Sequence, residues 1–263
     1  MTKISAVIIT NNEVDCIERA LRSLDFCDEI VVADSGSTDA TVAVCGKYNC
    51  RMFTKAFDGF GPYKQFAVSM ARNDWVLSLD ADESVSGELK REIVSLFSAE
   101  APDVAGFYIP RSLVFLGRQL RFGGEYRKKQ LRLFNRNAGA FNTEKVHEKV
   151  CVSGKTASLK NQILHYSYDS IRDYFEKFNT YTTVAAQSLF EKKKKISAFN
   201  VIARFPLAFI KIYFIKGCFL DGYAGAVWSL FSSLYPVVKF AKLCELAALE
   251  KGEMRAGNGQ PAP

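Results

Sequence analysis

Two aspartates, Asp80 and Asp82, stand one residue apart where the mostly apolar run of "WVLSLDADES" (75–84) ends. At i and i+2 on a chain leaving a strand, both carboxylates can aim at one locus. Such oxygens are the ligands of hard divalent cations, and Mg²⁺ or Mn²⁺ commonly joins them to a substrate diphosphate. A cation there would neutralise a leaving diphosphate as its bond breaks. A lone Asp-x-Asp in a solvated turn does none of this, so the neighbours decide. Two more apolar runs close in polar clusters: Thr10-Asn11-Asn12-Glu13, and "DSGSTD" from Asp34 to Asp39. Gly36 lets the second turn tightly. Ser37 or Thr38 is placed to cap the next helix, whose N-terminus favours phosphate or other anions. Asp34 is placed to accept hydrogen bonds from a base or ribose.

The elements that would position these groups alternate. "ISAVIIT" (4–10), "DEIVVAD" (28–34), "CRMFTK" (50–55) and "DWVLSLD" (74–80) read as strands. Between and after them, 14–24, 37–48, 63–72 and 87–97 read as helices from their apolar spacing and start signals. Near-continuous apolar strands alternating with helices predict an α/β domain with a largely parallel sheet. Ligands bind such sheets at the strands' carboxyl ends, so the three clusters belong to one site. After residue 104 the pattern changes to antiparallel strands and hairpins. A long amphipathic helix follows over 167–193, then "EKKKKISAF" and two very apolar stretches, 205–220 and 223–238.

Lys211 and Lys216 interrupt the first apolar stretch and Pro236 breaks the second, so neither reaches the length of a spanning helix. Beside the polybasic 192–195 they read as helices lying in an interface with anionic lipid, or else as a buried hairpin covering the sheet. The chain has 263 residues, 48% hydrophobic, and a net charge of +7. That composition excludes a disordered protein. The first 100 residues hold 10 Lys and Arg against 16 Asp and Glu, and the remainder 25 against 12. The basic second half would face an anionic partner: nucleic acid, phosphorylated substrate or membrane. No nucleic-acid motif is present, which argues against the first. Seven scattered cysteines without a CxxC fit reduced thiols. The N-terminal apolar run is too short for a signal peptide, so a cytoplasmic origin is expected.

In this order, "IITNNE", "VVADSGSTDAT" and "SLDADE" resemble the nucleotide-sugar half of a family 2 glycosyltransferase with the GT-A fold. "FGPYKQFA", "LGRQLRFGG", "QLRLFNR", "VHEKV", "ILHYSYDS", "KFNTY" and "GCFLDGYAG" are similar to the bacterial lipopolysaccharide-core β-1,4-glucosyltransferases of the WaaE/LgtF-like group. The resemblance implies a GT-A domain over 1–165, with a nucleotide-binding half (1–100) and an acceptor and metal half (101–165). A helical membrane-associating extension (166–248) and a disordered tail (249–263) would follow. It implies transfer of a hexose, glucose by preference, from a UDP-sugar to inner-core heptose of lipid A-core. The implied donor-binding set is Thr10, Asn11, Asn12, Glu13, Asp34, Ser35, Gly36, Ser37, Lys64, Asp80, Ala81 and Arg132. Lys64 would approach the diphosphate, and Arg132 resembles the arginine of a Gln-x-x-Arg-Trp element that is degenerate here. Asp82 would hold Mg²⁺ or Mn²⁺, with His147 of "VHE" as a second ligand or as a structural residue; His165 takes the structural reading.

An inverting transfer needs a carboxylate to take the acceptor's proton. Glu148 and Glu125 are the candidates, Glu148 preferred. Relatives often carry Trp-Tyr-Pro-Asp where this chain has "EYRK" (125–128), so Lys128 replaces a frequent aspartate. Two other readings stay open: a family 2 transferase using another UDP-sugar or a polyprenyl-phosphate acceptor, and a non-catalytic glycan- or lipid-binding protein.

Overall fold

The computed structural model describes residues 2–98, 102–144, 148–168, 170–194 and 198–250. The chain divides into two compact units. Met1–Val114 and Glu125–Ser167 form a sheet unit, and Phe115–Gly124 with Tyr168–Pro263 a helical one. The division is not linear in sequence, because residues 115–124 pack with the helices.

The sheet unit begins β1 (Ile4–Thr10), α1 (Ile17–Arg22), β2 (Glu29–Asp34), α2 (Thr41–Gly46), β3 (Arg51–Thr54), α3 (Phe60–Ser69), β4 (Trp75–Asp80), β5 (Glu83–Val85) and α4 (Gly87–Phe97). It continues with β6 (Gly106–Phe115); the two-residue β7 (Arg118–Gln119) falls in the other unit. Then come β8 (Lys128–Asn135), β9 (Gly139–Phe141), β10 (Val150–Val152), β11 (Thr156–Ser158) and β12 (Ile163–His165). The main sheet runs β3-β2-β1-β4-β8-β6-β12-β5. Its first four strands are parallel. β8 is antiparallel to β4 and β6, and β12 is parallel to β6 and antiparallel to β5. The fold is thus the expected mixed α/β class with a mostly parallel core, followed by C-terminal helices.

Strand alternation explains the layers. Ile4, Ala6 and Ile8 of β1 join Ile17 and Leu21 of α1 and Leu89, Ile93 and Phe97 of α4 in one buried cluster. Val7 points the other way, to a cluster with Tyr63, Ala67 and Val68 of α3. Both faces are covered, as a parallel sheet requires. Each large aliphatic side chain so buried contributes about 1.5–3 kcal/mol. α4 starts where its sequence says: the Ser86 hydroxyl accepts from the Leu89 N–H at 3.2 Å.

In the helical unit, α5 (Ile171–Glu191) buries Tyr174, Phe178, Thr182 and Ala186, one residue per turn. The Ser170 hydroxyl caps it by accepting from the Asp173 N–H. α6 (Ala198–Phe209) runs into a π-helical stretch (Ile210–Ile215) and a 3₁₀ turn (Cys218–Asp221). α7 (Gly222–Glu250) follows for 29 residues. Pro236 lies inside α7 and does not break it. A proline removes one backbone hydrogen bond, but buried residues on both sides of it, Ser233 before and Phe240 and Leu243 after, hold the helix in register. Phe115 packs on Trp228 with ring centroids 5.3 Å apart, which ties 115–124 to α7, and Tyr174 packs on Phe231 at 5.2 Å, which ties α5 to it.

Among the described residues no helix is long and apolar enough to cross a membrane. The stretch 202–223 is nonetheless unusually bare. Ile202, Ile215 and Tyr223 are 73%, 76% and 79% exposed, and Leu207, Ile210, Phe214, Phe219 and Leu220 are exposed as well. The expected disordered tail lies outside the described residues beyond Glu250, as does Lys195 of the basic run.

Candidate active site

Register brings the three polar clusters to one edge. Thr10 pairs with Asp34 across β1 and β2, and Ile9 with Asp80 across β1 and β4. The chain runs outward through β2 and β3, then returns to the other side of β1 as β4. The edge is therefore the topological switch point, where open α/β sheets bind ligands.

The first two clusters are clasped together. Asn12, at φ 55°, accepts on its Oδ1 from the Thr38 N–H at 2.8 Å, and its own N–H donates to the Ser37 hydroxyl at 2.9 Å. The Glu13 N–H donates to the Thr41 hydroxyl at 2.8 Å. Asp34 turns back on its loop: Oδ2 accepts from the N–H groups of Gly36 and Ser37 at 3.0 and 2.9 Å, and Oδ1 from the Ser37 hydroxyl. The Ser35 N–H donates to the Thr10 carbonyl at 3.1 Å. Ser37 and Thr38 therefore do not cap α2, which starts after Ala40 without a side-chain cap. Their hydroxyls serve the loop contacts instead, and α2 is six residues long. Asn11 is exposed, whereas the Thr10 hydroxyl is buried without a hydrogen-bond partner.

The third cluster anchors a buried charge network. Asp80 Oδ2 accepts from Arg132 Nη2 at 2.9 Å, and Oδ1 lies 2.7 Å from Lys64 Nζ. Lys64 also reaches Glu148 Oε1 at 2.8 Å. Arg132 Nη2 donates a second bond to Glu83 Oε1 at 3.0 Å, and Arg111 approaches the same oxygen at 3.3 Å. The other Glu83 oxygen accepts from the Asp80 N–H at 3.1 Å. Burial works against the charge of Asp80, yet Arg132 and Lys64 overcome it and hold the carboxyl well below the usual range. Burial likewise opposes the charge of Arg132, and Asp80 and Glu83 outweigh it to push its affinity for the proton up.

Lys64 can sit here because of Gly61. A Cβ at Gly61 would lie 2.3 Å from the Asn142 carbonyl oxygen and 2.5 Å from that of Glu144. Only glycine lets the first turn of α3 rest on that backbone, and one turn later Lys64 meets Glu148. In the sequence, "FGPYK" is the visible trace of this contact.

Asp82 stands apart from the network, and its partner is His165. His165 Nε2 lies 3.0 Å from Asp82 Oδ2, and the Ser167 hydroxyl lies 3.0 Å from Nδ1 and 2.7 Å from Nε2 of the same ring. The Tyr166 N–H donates to the Asp82 carbonyl at 2.8 Å, pinning the two segments. The histidine beside the second aspartate is thus the one given only a structural part from sequence; His147 lies outside the described residues. Ala81 turns into the core between the two aspartates. Glu125 is paired with Lys128 at 2.7 Å and takes no part in the Asp80 network. Sequence reasoning missed Glu83, Arg111 and His165; the "DADE" run contains the first of them, and its full burial is what marks it.

One carboxylate and one imidazole form a donor pair that suits a hard divalent cation whose remaining positions are filled by diphosphate oxygens and water. Among the described residues no cluster of three or more such ligands exists.

The profile of glycosyl transferase family 2 matches residues 5–152. An uncharacterized glycosyltransferase of Rickettsia typhi is 33% identical over 98% of this chain and 92% of its own. The lipopolysaccharide core biosynthesis glycosyltransferase LpsC of Rhizobium meliloti is 28% identical over 94% of each chain. Among solved structures, the 1–349 fragment of S. aureus TarS in complex with UDP superimposes with a TM-score of 0.48 at 18% identity, covering 98% of this chain and 95% of that one. A profile match over more than half its length, starting in β1 and ending in β10, places the chain in glycosyl transferase family 2.

Proposed function

We propose that this family 2 enzyme is an inverting, metal-dependent hexosyltransferase that moves glucose from UDP-glucose onto inner-core heptose of lipopolysaccharide in β-linkage. The observation that carries the reading is the Asp82–His165 pair at the sheet edge that also holds Asp80, Lys64 and Arg132. The 28% identity to LpsC over 94% of both chains supports the acceptor class.

The residues divide the work. The unpartnered Thr10 hydroxyl, with Asn12, Glu13 and Asp34 on the clasped loops, receives uracil and ribose. Asp34 keeps lone pairs free beyond its loop bonds. Asp82 and His165 would hold Mg²⁺ or Mn²⁺, which when bound offsets the negative charge building on the leaving diphosphate. Lys64 and Arg132, both buried, add positive charge to the same end. Glu148 takes the acceptor proton as the new bond to the anomeric carbon forms and the bond to UDP breaks on the opposite face. Lys64 now pairs with Glu148; once it turns toward the diphosphate, that Glu148 oxygen is free to accept the hydrogen of the acceptor hydroxyl. Glu125 is the second candidate for that role.

The exposed apolar stretch 202–223 and the lysines from 192 onward support a peripheral seat on an anionic leaflet, the cytoplasmic face of the inner membrane. The test is release of UDP from a panel of UDP-sugars, with and without heptose-terminated core acceptor, in Mg²⁺, Mn²⁺ or chelator. Metal-dependent, acceptor-stimulated turnover of UDP-glucose is expected, and loss of it in Asp82→Asn. Turnover that ignores chelator sinks the metal assignment. Preference for another donor, or for a polyprenyl phosphate, replaces the substrate assignment.

A further inference from the structure

The sequence motifs "LGRQLRFGG" and "GCFLDGYAG" take no part in the sheet-edge chemistry, yet they meet inside the helical unit. Asp221, 2% exposed, accepts on its carboxylate from the N–H of Arg121 at 3.0 Å and of Phe122 at 2.9 Å. The turn before them reverses through Leu116 and Gly117, both at positive φ. Between the two motifs lies a cleft of about 450 Å³, walled by Arg118, Gln119, Arg121, Phe122, Leu220 and Asp221.

We propose that this cleft binds a phosphate monoester, gripped by the guanidinium groups of Arg118 and Arg121. The carboxylate of Asp221 is occupied by backbone N–H groups. Among the described residues neither arginine side chain has a hydrogen bond or ion pair, and the buried Nε2 of Gln119 has no acceptor. The wall thus offers a ligand two permanent cations and an unmet amide N–H. Guanidinium forks match the oxygens of a phosphate dianion in pairs, and the unmet Gln119 N–H supplies a further donor beside them. The segment that supplies Asp221 also presents exposed Phe219, Leu220 and Tyr223, so the phosphate can be carried by a lipid as well as by a soluble sugar. The inference goes beyond the transferase reading and does not depend on it.

The test uses the full chain and no sugar nucleotide, so failure of the transferase assignment leaves it readable. Two arms are measured: calorimetry with glucose 6-phosphate, and co-sedimentation with vesicles containing phosphatidic acid against vesicles of phosphatidylglycerol at matched surface charge. Saturable binding is expected in at least one arm. It should weaken about tenfold or more in Arg118→Gln/Arg121→Gln, the loss of one to two charge-assisted bonds. It should survive in part in Arg118→Lys/Arg121→Lys. A thermal melt checks that the variants are folded. Binding in the soluble arm names a free sugar phosphate as ligand; binding in the vesicle arm alone names a lipid-borne one. No saturable binding in either arm, or binding that the double Gln variant leaves unchanged, overturns the proposal.

Discussion

In the sheet unit, Lys64, Arg111 and Arg132 each lie within 3.3 Å of a carboxylate, and all three carboxylates belong to the same network. In the helical unit, nine lysines and arginines fall between Glu191 and Glu245 against one acid, Asp221, which is buried and bonded to backbone. Paired charges inside a protein fix geometry and fail sharply when one partner goes. Unpaired charges of one sign on a surface act at a distance, add up one by one, and fade with salt. One unit uses charge to hold atoms still; in the other, on the proposed reading, charge attracts an anionic partner.

Four measurements break or sharpen this contrast. The largest effect is expected at Asp82, whose partner is the His165 imidazole rather than a lysine or arginine. Asp82→Asn should lower UDP-sugar turnover by about 10²- to 10³-fold, the scale seen when one electrostatic stabiliser of a transition state is lost. The melting temperature should barely move. An equal loss of stability would place Asp82 with the structural charges instead. Next comes Glu83, fully buried between Arg132 and Arg111. Glu83→Gln should cost about 3 kcal/mol in urea unfolding, the lower end for breaking a buried pair. A loss under about 1 kcal/mol, the surface-pair range, would dissolve the contrast.

The third targets the surface charges. Lys192→Gln, Lys193→Gln and Lys194→Gln together should weaken binding to anionic vesicles by up to about 3 kcal/mol at low salt, about 1 kcal/mol each. The melt should stay unchanged and the deficit should shrink at high salt. The smallest effect is in pH. Asp80 ionises below its ordinary value near 3.8, so the stability it contributes is present above that value. That stability is lost as pH falls through the lower, folded value. The gap in melting temperature between the protein and Asp80→Asn should hold from pH 7 to about pH 4 and close at lower pH. A gap already closing at pH 6 would mean that Arg132 and Lys64 do not hold the charge.

The strands that build the edge were readable because parallel strands buried on both faces are written as unbroken apolar runs, as in Ile4–Thr10 and Trp75–Asp80. α4 was readable from its period and from Ser86 before it. The charge partners were not. His165 reaches Asp82 only because three-residue β12 pairs with β5, some 80 positions earlier, and no local pattern announces a pairing that distant. Ser37 and Thr38 look the same whether they cap a helix or bond to Asn12 and Asp34, so chemistry was legible there and geometry was not. Pro236 reads as a stop in any short window, and only the packing on both sides overrides it.

Asn12 has a consequence of another kind. Its side-chain amide and its backbone N–H both reach across from the segment after β1 to the segment after β2, and the backbone stands in a left-handed conformation as they do so. A nucleotide arriving at this edge meets a floor whose shape is set beforehand, so little chain entropy remains to be lost on association. Loosening the tie should slow capture of the nucleotide and leave the later bond-breaking step untouched.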